Sequence, residues 1–339
     1  MKTGGCPLPF DADAVSNSRR YLSGFSGVNS IYASMLAAAN KANKPVNFNR
    51  DIKDTADFVV NNKDVLGAFT RPGFASMSGF IKNPKPFFGG ETWILCGDPA
   101  ASKDTARTTC DSRQNYDLAQ LTKDLTDLYS ADYIRAWQAY MKNSTVVKFK
   151  DLEDAATKLE ALSNNTTPLM ALFWLATQHT SVDNDKIKVA FQPIQEVVPP
   201  PATLVKYIYE DKNGTYIDSL TKLQKGVADA AAAKADVNVA NQTVTMASDA
   251  RMTVKGVARR FNPDPSAQID QISAKLLEDP ITQVERMLKG VGADELNAKG
   301  AGMCRGFNAL ANKFPFNPTS KVDATIDDVN KVFRPSDGL

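Results

Sequence analysis

Between Leu118 and Met141 the apolar residues fall at Leu118, Leu121, Leu125, Leu128, Tyr129, Tyr133, Trp137, Tyr140 and Met141. Steps of three and four bring them onto one face of a helix of about six turns, with Lys123, Asp124, Asp127, Asp132 and Arg135 mostly elsewhere on the wheel. A chain that invests this much apolar surface at helical spacing must bury it against other helices.

The pattern repeats along the chain. Leu152, Ala155, Ala156, Leu159 and Leu162 predict a further amphipathic helix of about three turns, broken by Asn164-Asn165. Thr167-Pro168 then reads as a start signal, a hydroxyl cap followed by a proline that needs no amide hydrogen. The segment it opens, LMALFWLATQH, is apolar on nearly all sides and predicts a core helix. Upstream, Leu22, Phe25, Ile31, Tyr32, Met35, Leu36 and Ala39 predict a first helix ending near Asn40. Residues 71–100 are rich in Gly and Pro and read as irregular.

Pro193, Pro199, Pro200 and Pro201 punctuate QPIQEVVPPPA, which predicts an extended connector over 192–202 in place of a helix. Helical spacing returns at Tyr207, Ile208, Ile217, Leu220, Leu223 and Val227, and an alanine-rich run continues it as a solvated helix face. Helical segments at 267–278, 281–289, 298–312 and 326–333 follow. The expected fold class is therefore mainly α, with two successive helical modules, 1–192 and 203–339, and little or no sheet. At 339 residues the chain has room for about two domains.

Charge and chemistry narrow the function classes. Lys+Arg number 40 against 38 Asp+Glu, so no field argues for nucleic acid or an acidic membrane. Arg259-Arg260-Phe261 is offset by Asp249 and Asp264. Neither GxxxxGK[ST] nor GxGxxG after a strand is present. With His179 as the one histidine, a multi-His metal site is excluded and a Ser or Cys nucleophile has one base to use. At the end of the apolar helix, His179 reads as an imidazolium favoured by the helix macrodipole. The carboxylates Asp151, Glu153 and Asp154, and the pair Asp327 and Asp328, open helices, where negative charge is stabilised. Glu91, beside Gly89-Gly90 and Trp93, is the one acid in an aromatic-rich loop. No catalytic residue, cofactor site or metal site is assigned.

The cysteines are Cys6, Cys96, Cys110 and Cys304, with no CxxC pair. Cys96 and Cys110 bracket a Gly/Pro/Ser/Thr loop; a disulfide there would stabilise by roughly 3 kcal/mol. Spacing leaves that bond and two free thiols both open. No apolar run reaches the roughly 18–20 residues of a membrane span, and the first residues carry no signal-peptide pattern.

Several motifs together resemble one family. Leu128-Tyr129-Ser130-Ala131-Asp132-Tyr133-Ile134-Arg135-Ala136-Trp137 holds a Tyr-x-x-x-Trp step, followed by Leu159-Glu160-Ala161-Leu162-Ser163 and Thr167-Pro168-Leu169. Gly67-Ala68-Phe69-Thr70-Arg71-Pro72-Gly73-Phe74, Cys304 with Lys313-Phe314-Pro315-Phe316, and Asp328–Phe333 with Pro335 and Gly338 agree in order and spacing. This set resembles the TssM/IcmF family of type VI secretion inner-membrane subunits over most of residues 64–339. The resemblance implies the helical periplasmic portion of a bacterial inner-membrane protein, with TssL-type and TssJ-type subunits as partners, homo-oligomerisation in the full assembly, no nucleic acid and no enzymatic activity. It also implies a fragment, lacking the family's membrane helices, NTPase-like domain and β-rich TssJ-docking region. An oxidising periplasm favours the Cys96–Cys110 bond. Tyr129, Tyr133 and Trp137 are the candidate core or interface aromatics. The alternative functional reading is a peptidoglycan-active enzyme of the lytic transglycosylase type using Glu91; a third is a cytosolic helical adaptor with four free thiols.

Overall fold

A computed structural model describes residues 27–88, 117–164, 167–200, 208–233 and 236–334, together with Asp13 and Asn17. In chain order the helices and strands are α1 (Val28–Ala42), α2 (Phe48–Asp51), β1 (Val59–Asn61), α3 (Arg71–Lys82), α4 (Leu118–Lys142), β2 (Ser144–Val146), α5 (Leu152–Ser163), α6 (Pro168–Thr180), α7 (Asp185–Ala190) and α8 (Gln192–Val197). They continue with α9 (Thr215–Ala232), α10 (Val237–Ala258), α11 (Ile269–Ala311) and α12 (Ile326–Phe333). The fold is mainly α. The sheet among the described residues is one antiparallel pair, β1 with β2, in the register Val59↔Val146 and Asn61↔Ser144.

The chain divides into two compact units. One is formed by residues 1–147, 166–213 and 257–276, the other by 148–165, 214–256 and 277–339. In the first, Ile31, Tyr32, Met35 and Ala39 of α1, Leu121 to Met141 along α4, and nearly all of α6 form the core. In the second, Leu159 and Leu162 of α5 are buried, as are Tyr216, Leu220, Leu223 and Val227 of α9, Ala247 and Ala250 of α10, and Ile281 and Val284 of α11. Ala230 of the alanine-rich run is buried too, so that run is not a fully solvated face. Thr243 Oγ1 of α10 donates to the Gly226 carbonyl of α9 at 3.0 Å, tying these two helices at a close crossing.

Short polar residues start the helices as their chemistry predicts. Asn47, Asp117, Asp151 and Asn184 each accept a backbone amide of the following turn, and Thr325 forms a reciprocal capping box with Asp328.

Four local expectations are corrected. Residues 71–82 are helical, not irregular: Thr70 caps the Gly73 amide, Pro72 sits in the first turn, and Met77 and Ile81 supply buried positions four apart. The segment 192–197 is helical as well, since Pro193 also lies in a first turn, where a missing amide costs nothing. The separate segments expected at 267–278, 281–289 and 298–312 belong to one helix, α11, that runs through Pro280. Buried Leu276, Leu277, Ile281 and Val284 flank that proline on both sides. At Thr167 the expected hydroxyl cap is absent, because its buried Oγ1 has no hydrogen-bond partner.

Candidate functional site

Tyr129, Tyr133 and Trp137 recur at i, i+4 and i+8 on α4, and all three are buried. Each carries one polar hydrogen on an otherwise apolar body, and each spends it on a backbone carbonyl. Tyr129 Oη donates to the Ala68 carbonyl at 2.6 Å and Trp137 Nε1 to the Phe69 carbonyl at 2.7 Å. Tyr133 Oη donates to the carbonyl of His179, one of the last-turn oxygens of α6 that have no helical partner. The stripe therefore holds the tight turn Gly67–Phe69 and the end of α6 to one helix face. Tyr32 of α1 adds a hydrogen bond of 2.8 Å to Asp132 on the same helix.

The turn accepts this docking because its own backbone is compact. Asn40 Oδ1 accepts the Ala68 amide at 2.8 Å, and Thr70 Oγ1 donates to the Gly67 carbonyl at 2.7 Å. A Cβ on Gly67 would stand 2.0 Å from the Asn43 carbonyl oxygen, and one on Gly73 would stand 2.0 Å from that of Gly67. Both positions therefore take glycine because backbone meets backbone. Around the turn, Phe69 stacks on Tyr129 with ring centroids 5.9 Å apart, and Phe69 and Phe74 each meet the Tyr133 ring edge-on at 6.1 Å.

His179 joins this cluster, a role its sequence position did not reveal. Its ring stacks on Trp137 with centroids 5.4 Å apart, and Nδ1 accepts the Arg71 amide at 3.1 Å. Burial pushes its pKa from 6.5 down to about 4, Arg71 pushes the same way, and Asp51 opposes them. The imidazolium expected at this helix end is thus a neutral imidazole. Burial likewise raises the Tyr129 and Tyr133 phenols well above their ordinary range, so all of these groups are neutral at pH 7.

Asn40 also escaped the sequence reading. A polar residue in the last turn of an apolar helix was the available signal, but its partner lies 28 residues away. Asp151 and Asp154 act locally: Asp151 caps α5, and Asp154 pairs with Lys158 at 2.7 Å. Lys158 draws the Asp154 pKa down, and Lys313 does the same for Asp328. Cys96, Cys110 and Glu91 lie outside the described residues, and Cys304 is an exposed thiol. Among the described residues no group of three or more His, Cys, Asp or Glu side chains could hold a metal ion. In the same residues no helix is long and apolar enough to cross a membrane.

Residues 2–181 match the model of the IcmF-related family, described by the words intracellular multiplication and human macrophage-killing, and this is more than half of the chain. The chain belongs to the IcmF-related family. The whole of the docked turn, α4 and His179 falls inside the family region. No curated protein matches the chain. Among solved structures it is similar to a chain of a type VI secretion system membrane core complex, with 16% identity and a TM-score of 0.59. That likeness covers 92% of this chain and 60% of the other, so the chain spans less than two thirds of its structural relative.

Beyond the family region, one surface stands out. Phe307 of α11 and Ile326 and Phe333 of α12 are 51%, 80% and 56% exposed, and Phe307 meets Phe333 edge-on at 6.4 Å. The apolar side chains of α12 are not buried by the rest of its unit.

Proposed function

We propose that this chain is a structural, non-enzymatic component of a type VI secretion membrane complex, from the periplasmic portion of a TssM-type inner-membrane protein. In this reading its partners are TssL-type and TssJ-type subunits and further copies of itself, and its two helical units act as rigid spacers that carry force or conformational change between membranes. The supporting observation is the agreement of two independent comparisons: family membership over residues 2–181, and a shared fold with a membrane core complex chain over 92% of the length. The chemistry of the α4 site fits a mechanical role. The donors of Tyr129, Tyr133 and Trp137 are all used on backbone carbonyls, which locks segments together.

Two measurements test the reading. Co-expression with a TssL-type subunit should yield a complex of higher mass than the chain alone; a chain that stays monomeric both alone and beside it overturns the assignment of partners. Location is read from the exposed thiol of Cys304. In a chain whose other cysteines, Cys6, Cys96 and Cys110, are replaced by Ser, a membrane-impermeant maleimide applied to cells with a permeabilised outer membrane should label the protein, and adding Cys304→Ser should remove that label. Labelling of Cys304 only after lysis of the inner membrane would place the chain in the cytoplasm.

A further inference from the structure

His179 is held by three contacts from two other helices. Its carbonyl takes the Tyr133 hydroxyl of α4, its ring lies on Trp137 with an interplanar angle of 16°, and its Nδ1 takes the Arg71 amide at the start of α3. The Arg71 amide is one of the first-turn donors of α3, which no helical carbonyl can satisfy. Its acceptor is therefore a ring nitrogen that must carry no proton.

We propose that His179 is an acid-release latch for the turn at residues 67–74, holding the start of α3 while its imidazole is neutral and letting go when it is protonated. On protonation Nδ1 becomes a donor facing the Arg71 donor, and a second positive charge appears beside the Arg71 guanidinium. The groups that face the ring are Arg71 of α3, Asp51 of α2, and Tyr133 and Trp137 of α4. Of these, Arg71 and burial oppose the cation, Asp51 favours it, and the Trp137 face gives it a modest cation–π gain. The phenol stays neutral and bound to the carbonyl, so Tyr133 keeps its hold on α6 and the release is confined to the Arg71 side.

The sign follows from the direction of the shift. The latched ring binds its proton near pH 4, whereas a released ring binds near its ordinary 6.5. Between those values the open form takes up more protons, so latching is complete above about pH 6.5 and is lost as the pH falls towards 4.

Hydrogen exchange on the whole chain tests this. The protection factor of the Arg71 amide, corrected for intrinsic exchange, should fall roughly twentyfold between pH 7 and pH 5. In His179→Asn, whose side-chain oxygen can stand where Nδ1 stood without titrating, protection should persist and hardly change with pH. In His179→Phe, which keeps the stack but offers no acceptor, protection should be low at both values. Unchanged protection in the wild-type chain between the two pH values overturns the proposal. So does an equal fall in His179→Asn, or full protection in His179→Phe.

Discussion

At the scale of single residues, the site on α4 is a set of polar hydrogens with named destinations. Tyr129→Phe leaves the shape intact but strips the Ala68 carbonyl of its donor in a buried setting. An orphaned buried acceptor costs about 1–3 kcal/mol, which a urea midpoint would read directly. Tyr140 gives the control. Its ring packs edge-on to Trp137 at 4.9 Å, yet its buried hydroxyl has no partner. Tyr140→Phe should therefore be neutral or stabilising in the same assay; a loss as large as that of Tyr129→Phe would show that packing, not hydrogen bonding, sets both values. The sequence made the stripe visible because i, i+4 spacing is written in side-chain identity. It could not show the partners, because the carbonyls of Ala68, Phe69 and His179 are backbone and carry no sequence signature. The cation expected at His179 fails to form for a related reason. The macrodipole favours a cation by up to about 1 kcal/mol, whereas a shift from 6.5 to about 4 is roughly 3 kcal/mol against it. Burial decides the charge, and burial is set by elements far away in sequence.

At the scale of elements, glycine and proline were read as breakers where the structure uses them as joints. Helix α3 contains Pro72, Gly73 and Gly79, yet their positions differ in kind. Pro72 lies in the first turn, Gly73 allows close approach to the Gly67 carbonyl, and Gly79 meets nothing within 4 Å. Gly79→Ala should then stabilise by about 0.5–1 kcal/mol through helix propensity alone. Gly67→Ala should destabilise by about 1–3 kcal/mol, since its Cβ would enter the Asn43 carbonyl. Melting temperatures of the two variants should move in opposite directions, and a common direction would refute the backbone-contact account. Thr167 shows the converse error. Its hydroxyl looked like a cap in sequence, but in the structure it is buried with no partner, so Thr167→Val should be neutral or raise the melting temperature. An evident loss of stability would restore the capping role. The proline in α11 follows the same logic: a local signal for a break is overruled when buried residues on both sides favour continuing the helix.

At the scale of the whole molecule, the helical class was legible because an apolar stripe at helical spacing specifies a helix whatever covers it. What covers it was not legible, and the last helix shows this most clearly. Helix α12 has a strong start, with the Thr325–Asp328 capping box and a Lys313–Asp328 ion pair of 2.7 Å, so it does not depend on burial to form. Two of its apolar side chains are nevertheless left in water, Ile326 80% exposed and Phe333 56% exposed, while Val329 and Val332 are half-buried. Such a face binds the dye ANS and favours association, while contributing little to the stability of its own unit. Replacing Ile326 and Phe333 together by Asp should therefore lower ANS fluorescence and reduce self-association in sedimentation runs, with the melting temperature nearly unchanged. The same pair of changes in the buried stripe of α4 would unfold the chain, because there each side chain already has its partners. A large drop in melting temperature for the α12 variant would mean that this face is covered within the chain itself.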